Sequence, residues 1–342
     1  MPESGRSAAG ELIDSGDATR ATRNATGTRD DALRPSLTRV EAAAVASRED
    51  VTFDRPVVLV DPRAASLVAV WSLRQRGTPL HLLASRRFEP AIWARGVQRH
   101  HLPDLEARPL AWSSRLLELV AHLEPRPLLI PCSRRSRDLI RDQQAALRPH
   151  YTLTHVETLD LHGYEAEDFR TEKALRRTVL RGEPAFEVQV VLDTAGHCTG
   201  SCVLAWVADV PPRILVTSVE GEDLLASSLE WLRARGVRGF ARLIWAPDRF
   251  GRIDLQAAGT ISGSSWVLAA EDGVDFPALW YASLAGIDMP AQVAARRLSR
   301  TFPMSKSGLH DDPLPLVPLR VPWSMRDPLP FLAGILNSLL HH

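Results

Sequence analysis

Hydrophobic patterning is weak in the first part of the chain and begins abruptly after Arg55. Val57-Val58-Leu59-Val60 is an unbroken apolar run rich in β-branched residues, which suits a strand buried on both faces of a parallel sheet. Leu67, Val70, Trp71 and Leu73 then recur at helical spacing. They predict a helix over residues 65–76, closed by Gly77 at the C′ position. Residues 79–83 predict a second strand, 114–123 a helix, 127–131 another buried strand and 136–147 a helix after it. Strands and helices alternating in this order predict a parallel α/β layer with right-handed crossovers.

Past His150 the period changes. Residues 186–192 alternate at first, 193–196 form a turn and 201–207 return, which is a β-hairpin pattern. Leu224, Leu225, Leu229, Trp231 and Leu232 mark a helix over 221–235, with Gly236 closing it. Residues 239–245 and 252–257 predict a second hairpin around Pro247-Asp248-Arg249-Phe250-Gly251, and a further helix runs near 276–285 to Gly286.

The ends read differently. The first 50 residues hold no Phe, Tyr or Trp, too little apolar surface to offset ordering entropy, so residues 1–52 are expected to be a disordered segment apart from a short Ala-rich helix at 38–48. The proline-dense tail, 311–342, is expected to run extended, with an amphipathic helix over 329–340. Between them, 53–150 and 151–310 read as two domains, a size that 342 residues with 45% apolar content supports.

Charge and cysteine usage narrow the function classes. The 41 basic and 41 acidic side chains cancel, so no global field recruits nucleic acid or an anionic membrane. Three cysteines do not make a disulfide framework, and neither a signal peptide nor an 18-residue apolar run is seen; a cytoplasmic location is expected. Only Lys173 and Lys306 are lysines, a bias that GC-rich bacterial codon usage explains, and it leaves almost no lysine candidates for phosphate. Asp61-Pro62-Arg63-Ala64-Ala65 stands where a Gly-rich turn would follow the first strand, which argues against dinucleotide binding. His197-Cys198 and Cys202 lack a second ligand pair at zinc-site spacing, and Trp206, Trp231, Trp245, Trp266 and Trp280 read as packing residues.

Ordered stretches in both halves carry a resemblance. In the first half they are residues 66–80 (SLVAVWSLRQRGTPL) and Leu128-Leu129-Ile130-Pro131-Cys132-Ser133-Arg134. In the second they are Gly236 to Phe240, Pro247 to Arg252, Ile261-Ser262-Gly263-Ser264, Gly273-Val274-Asp275-Phe276-Pro277, Tyr281 to Gly286 and Trp323 to Phe331. Together these resemble the ATP-grasp superfamily, in particular bacterial carboligases similar to carbamoyl-phosphate synthase large subunits. The resemblance implies a Rossmann-like preATP-grasp domain followed by a reduced ATP-grasp-like α+β domain.

It also implies a chemistry: Mg·ATP activates a carboxylate as an acyl phosphate, and an amine attacks it. Charge building on the transferred group calls for Mg²⁺ on hard oxygen ligands and for cationic side chains. Aligned on Gly263-Ser264, Gln256 replaces the family's metal-bridging Glu, Ala258 its Asn and Thr260 its Arg, while the acid of the preceding strand falls at Arg242 or Leu243. Asp254, two residues before Gln256, is placed by strand alternation on the same face and is the acid positioned to take a metal. The lysine-bearing subdomain expected between the halves has only the 35 residues between His150 and Phe186, where Glu172-Lys173 is the nearest match to its markers. Two functions follow as expectations. One is a non-catalytic ATP-grasp-like pseudoenzyme without a cofactor, acting as a scaffold or binding subunit for a protein or small-molecule partner. The other is a divergent ATP-dependent carboxylate–amine ligase using Mg-ATP, with Lys173 and Gln256 on the nucleotide and Asp254 on the metal.

Overall fold

The computed structural model describes residues 53–63, 66–86, 89–153, 178–179, 182–208, 213–248, 250–259, 266–294 and 299–303. The chain divides into two units, Met1–Val51 and Thr52–His342, and all described residues lie in the second. The segments expected over 38–48 and 311–342, and Lys173, fall outside the described residues.

The first half is a parallel sheet. β1 (Val57–Val60) is followed by α1 (Ser66–Gln75), β2 (Leu80–Ala84), a 3₁₀ turn (Pro90–Trp93), β3 (Val97–His101) and α2 (Pro109–Val120). β4 (Leu128–Pro131), α3 (Arg134–Asp142), α4 (Gln144–Leu147) and β5 (Thr152–Leu153) complete it. The strand order is β3-β2-β1-β4-β5, with every pair parallel. All four residues of β1 and of β4 are buried, as their unbroken apolar runs require.

Three expectations shift here. α2 starts at Pro109, not 114: a proline at the first helical position needs no N–H partner, and Leu110 is 74% exposed, so the apolar pattern understated the helix. The helix expected over 136–147 begins at Arg134, where the Ser133 hydroxyl accepts from the Ser136 amide, and it breaks at Gln143 into α3 and α4. β3 was not anticipated, because Val-Gln-Arg-His-His on a sheet edge has no apolar signature.

The second half is an antiparallel sheet built on β6 (Ala185–Leu192), β7 (Cys198–Ala208), β8 (Arg213–Ser218), β9 (Gly239–Pro247) and β10 (Ile253–Gly259). α5 (Glu222–Ala234) follows β8, while α6 (Trp266–Glu271), α7 (Phe276–Ala285), β11 (Gln292–Val293) and β12 (Ser299–Pro303) follow β10. The order is β10-β9-β6-β7-β8-β12, with β11 added parallel to β7. Both hairpins expected from sequence, β6–β7 and β9–β10, form.

Two helices join the sheets. Residues Ser66–Leu73 of α1 and Phe276–Ser283 of α7 are buried without a break, as expected of helices enclosed on all sides. The Asp275 carboxylate lies at their junction. It caps α7 by accepting from the Ala278 amide (3.2 Å), and it takes the Ser72 hydroxyl of α1 (2.5 Å) and the guanidinium of Arg76 just after α1 (3.0 Å). Phe53 stacks on Tyr281 at 4.0 Å between ring centroids, and the Arg55 amide donates to the Tyr281 hydroxyl (2.9 Å). Gly200 permits the close approach of α7 to β7, since a Cβ there would collide with Leu279. No helix among the described residues is long and apolar enough to cross a membrane.

Candidate functional site

Residues directly opposite each other in an antiparallel pair share a face, so the register sorts the second sheet into two sides. Val188, Val190, Val203, Ala241, Leu243, Leu255 and Ala258 form the side packed with Leu232 of α5 and with Val237. The other side carries Glu187 opposite Ile244 and Leu204, Gln189 opposite Arg242 and Cys202, and Phe240 opposite Val191. Phe240 there meets Trp266 (4.9 Å, edge to face), Phe276 (5.5 Å) and Trp280 (5.8 Å), so α6 and α7 cover one end of it.

At its centre is a buried ion pair. The Glu187 carboxylate, 0% exposed, accepts from Arg242 Nε (2.6 Å) and Nη2 (3.4 Å), from Gln189 Nε2 (2.7 Å) and from Trp206 Nε1 (3.1 Å). Its charge is met by one guanidinium and its lone pairs by three side chains on three strands, the arrangement a desolvated carboxylate requires. Of the two β9 candidates, Leu243 points into the α5 core, whereas Arg242, opposite Gln189, lies on the covered face and reaches Glu187 diagonally.

The β10 candidates sit elsewhere. Leu255 pairs with Trp245 and Ala257 with Ile244, so Gln256 is the extra residue of a β-bulge. The alternation that placed Asp254 and Gln256 on one face is therefore broken, and Ala258 ends on the α5 side. Both side chains are exposed and serve local backbone. Asp254 Oδ1 accepts from the Leu255 amide (2.8 Å), and Gln256 Nε2 donates to the carbonyls of Ala246 and Asp254 (3.4 Å each). β10 is the edge strand of this sheet, with β9 as its one sheet neighbour.

A Mg²⁺ ion needs several hard oxygen ligands with uncancelled charge. Among the described residues no group of three His, Cys, Asp or Glu side chains is arranged to hold a metal. Glu187, on the covered face, already has its charge met by Arg242, so it does not offer the ion an uncancelled carboxylate.

The first sheet offers the other site its topology favours, the crevice beyond the carboxyl ends of β1 and β4, where the strand order reverses. The chain fills it with its own acid. Asp61, at a left-handed φ of 53°, is 3% exposed and accepts from the Ser133 hydroxyl (2.6 Å) and Arg63 Nη2 (2.9 Å). Those are the donors a phosphate or carboxylate ligand would use, so the non-glycine turn read from sequence has a direct structural counterpart. Burial pushes the neighbouring Cys132 thiol up to about 12, which keeps it protonated and unreactive.

The remaining candidates are structural. His197 bonds Asp193 through Nδ1 (3.1 Å), Cys198 contacts the Gly200 carbonyl, and burial raises the thiol of Cys202. Trp245 donates to the Ser228 hydroxyl (3.0 Å), and Trp231 lies 3.9 Å beneath the Arg235 guanidinium carbon.

No protein-family model and no curated protein matches the sequence. Solved structures do match in shape. One is N5-carboxyaminoimidazole synthetase from Staphylococcus aureus complexed with ADP, at 9% identity and a TM-score of 0.50, over 71% of this chain and 80% of that one. Another is the biotin carboxylase domain of a thermophilic 2-oxoglutarate carboxylase bound to bicarbonate, at 12% identity and a TM-score of 0.50, over 69% and 71% of the two chains. At such identities the likeness concerns the fold: a parallel sheet followed by an antiparallel sheet, in the arrangement these ATP-grasp enzymes share. This chain has the ATP-grasp fold.

Proposed function

We propose that this protein is a non-catalytic descendant of bacterial ATP-dependent carboxylate–amine ligases, a pseudoenzyme acting as a scaffold or binding subunit for a protein or small-molecule partner. The observation that carries the reading is the Arg242–Glu187 pair. It sets a fixed guanidinium on the strand where the resemblance calls for a metal-binding acid, and the charge of that guanidinium is cancelled within the protein. A metal ion brought to that place would find a guanidinium where a ligand should stand and a carboxylate whose charge is already met by it, so the pair offers no uncancelled negative charge to a hard dication. The Asp61 carboxylate at the crevice of the first sheet acts in the same direction for anions.

The divergent-ligase alternative gives Asp254 the metal. Against it stand the bonds of Asp254 and Gln256 to nearby backbone of β10 and β9. Replacing Asp254 with alanine is expected to leave ATP-dependent phosphate release at the buffer background, unchanged from the parent. A parent that consumes ATP, with that consumption abolished in the variant, would establish the ligase reading instead.

A further inference from the structure

Away from both crevices, three nitrogen side chains form a chain of hydrogen bonds across the edge of the first sheet. His100 Nε2 on β3 lies 3.3 Å from His81 Nδ1 on β2, the rings stacked with an interplanar angle of 10°. His100 Nδ1 lies 3.1 Å from Arg115 Nη2 on α2. A guanidinium can only donate, so His100 Nδ1 must accept and its single proton must sit on Nε2. That proton is then donated to His81 Nδ1, which leaves the His81 proton on its own Nε2. The direction of the whole chain is thus set by Arg115, and it closes only when both imidazoles are neutral.

We propose that the His81–His100–Arg115 relay is an acid-sensitive latch: protonation of either imidazole puts two donors face to face and releases β3 and α2 from the sheet edge. Protonating His100 sets its Nδ1–H against Arg115 Nη2–H and its charge against that of Arg115, while protonating His81 sets its Nδ1–H against His100 Nε2–H. The surroundings offer no relief. The register partners of His81 are Val58 on β1 and Gln98 on β3, and Leu83 lies beside His100. On α2, Arg115 is shared with Glu118 (3.0 Å), which is 63% exposed and lies beyond it. Arg99 on β3 is turned to the Ala94 carbonyl and the Trp93 ring. Asp104 and Glu106, in the loop before α2, are held by the amides of Glu106 and Ala107 and by Arg135. β3 is an edge strand with β2 as its one sheet neighbour, so it is the element with least else to hold it.

Burial first, and then His100, bring the His81 pKa from 6.5 down to about 4; burial and then Arg115 lower that of His100. A lowered histidine pKa means that the closed state holds the neutral ring while the open state takes up the proton. The latch is therefore at full strength above pH 6.5 and weakens as pH falls from there towards 4.

Hydrogen exchange of the full-length protein, corrected for intrinsic rates, tests this at about pH 7.5 and about pH 5. The opening equilibrium of the β3 and α2 amides is expected to rise about tenfold or more at the lower pH, with the β6 amides as an unchanged reference. In the double variant His81→Gln/His100→Gln the glutamines keep an acceptor for Arg115 and a donor for the next side chain but do not titrate, so the acid response should vanish. Equal protection of β3 and α2 at both pH values in the parent would overturn the proposal, as would an undiminished acid response in the double variant. The parent comparison decides the matter by itself where the double variant does not fold.

Discussion

Replacing Glu187 with alanine is expected to lower stability by about 3–5 kcal/mol, because it leaves the Arg242 guanidinium buried without a counter-charge. Glu187 is fully buried and Arg242 is 11% exposed, so water cannot substitute for the lost carboxylate. Gln189 and Trp206 lose their acceptor in the same step, each worth about 1 kcal/mol. In thermal unfolding this should appear as a midpoint roughly 10 °C lower. The control is the double variant Glu187→Leu/Arg242→Met, which removes both charges and fills their volume. It should recover most of the loss, since a buried pair replaced by apolar groups is often neutral. A double variant as unstable as the single one would mean that the pair does more than neutralise itself.

The second large effect belongs to Asp275. Asp275→Ala removes the cap of α7, the acceptor of Ser72 and the partner of Arg76, whose side chain is 10% exposed. A lost cap costs about 1 kcal/mol and an orphaned, nearly buried charge more, so a total near 3–4 kcal/mol is expected by chemical denaturation. Asp275→Asn keeps the oxygen for the Ala278 amide and the Ser72 hydroxyl while giving up the charge. Its cost should fall to roughly half, and equal costs for the two variants would show that the cap and the serine contribute nothing. Because α1 and α7 carry the contact between the two sheets, this one carboxylate couples the halves of the fold.

How far the sequence went can be followed residue by residue. β1 and β4 were readable because strands buried on both faces leave continuous apolar runs, and α7 because Gly286 closes an apolar stretch. β3 was not, since its edge position lets Gln98, Arg99 and His101 face solvent, so only pairing with β2 defines it. β8 and β12 were missed as well; they are strands through their pairing with each other and with β7, which local pattern does not encode. At the candidate site, two-residue alternation carried the reading from Asp254 to Gln256, and one inserted residue defeated it. A bulge has no fixed sequence signature, and its exposed Gln looked like any polar strand residue.

The Glu187–Arg242 pair escaped for a different reason. Its members lie 55 residues apart, and only the β6–β9 pairing brings them together. A signal was nevertheless present. Glu187 in Phe-Glu-Val-Gln-Val and Arg242 in Phe-Ala-Arg-Leu-Ile are each a charge inside an apolar strand, and two such charges of opposite sign call for one another when both strands are buried.

Calorimetric titration of the full-length protein with Mg·ATP tests the central claim most directly. With Arg242 neutralised by Glu187 and the first-sheet crevice closed by Asp61, no binding heat is expected, corresponding to a dissociation constant weaker than about 1 mM. Saturable binding of Mg·ATP in the micromolar range would contradict the account.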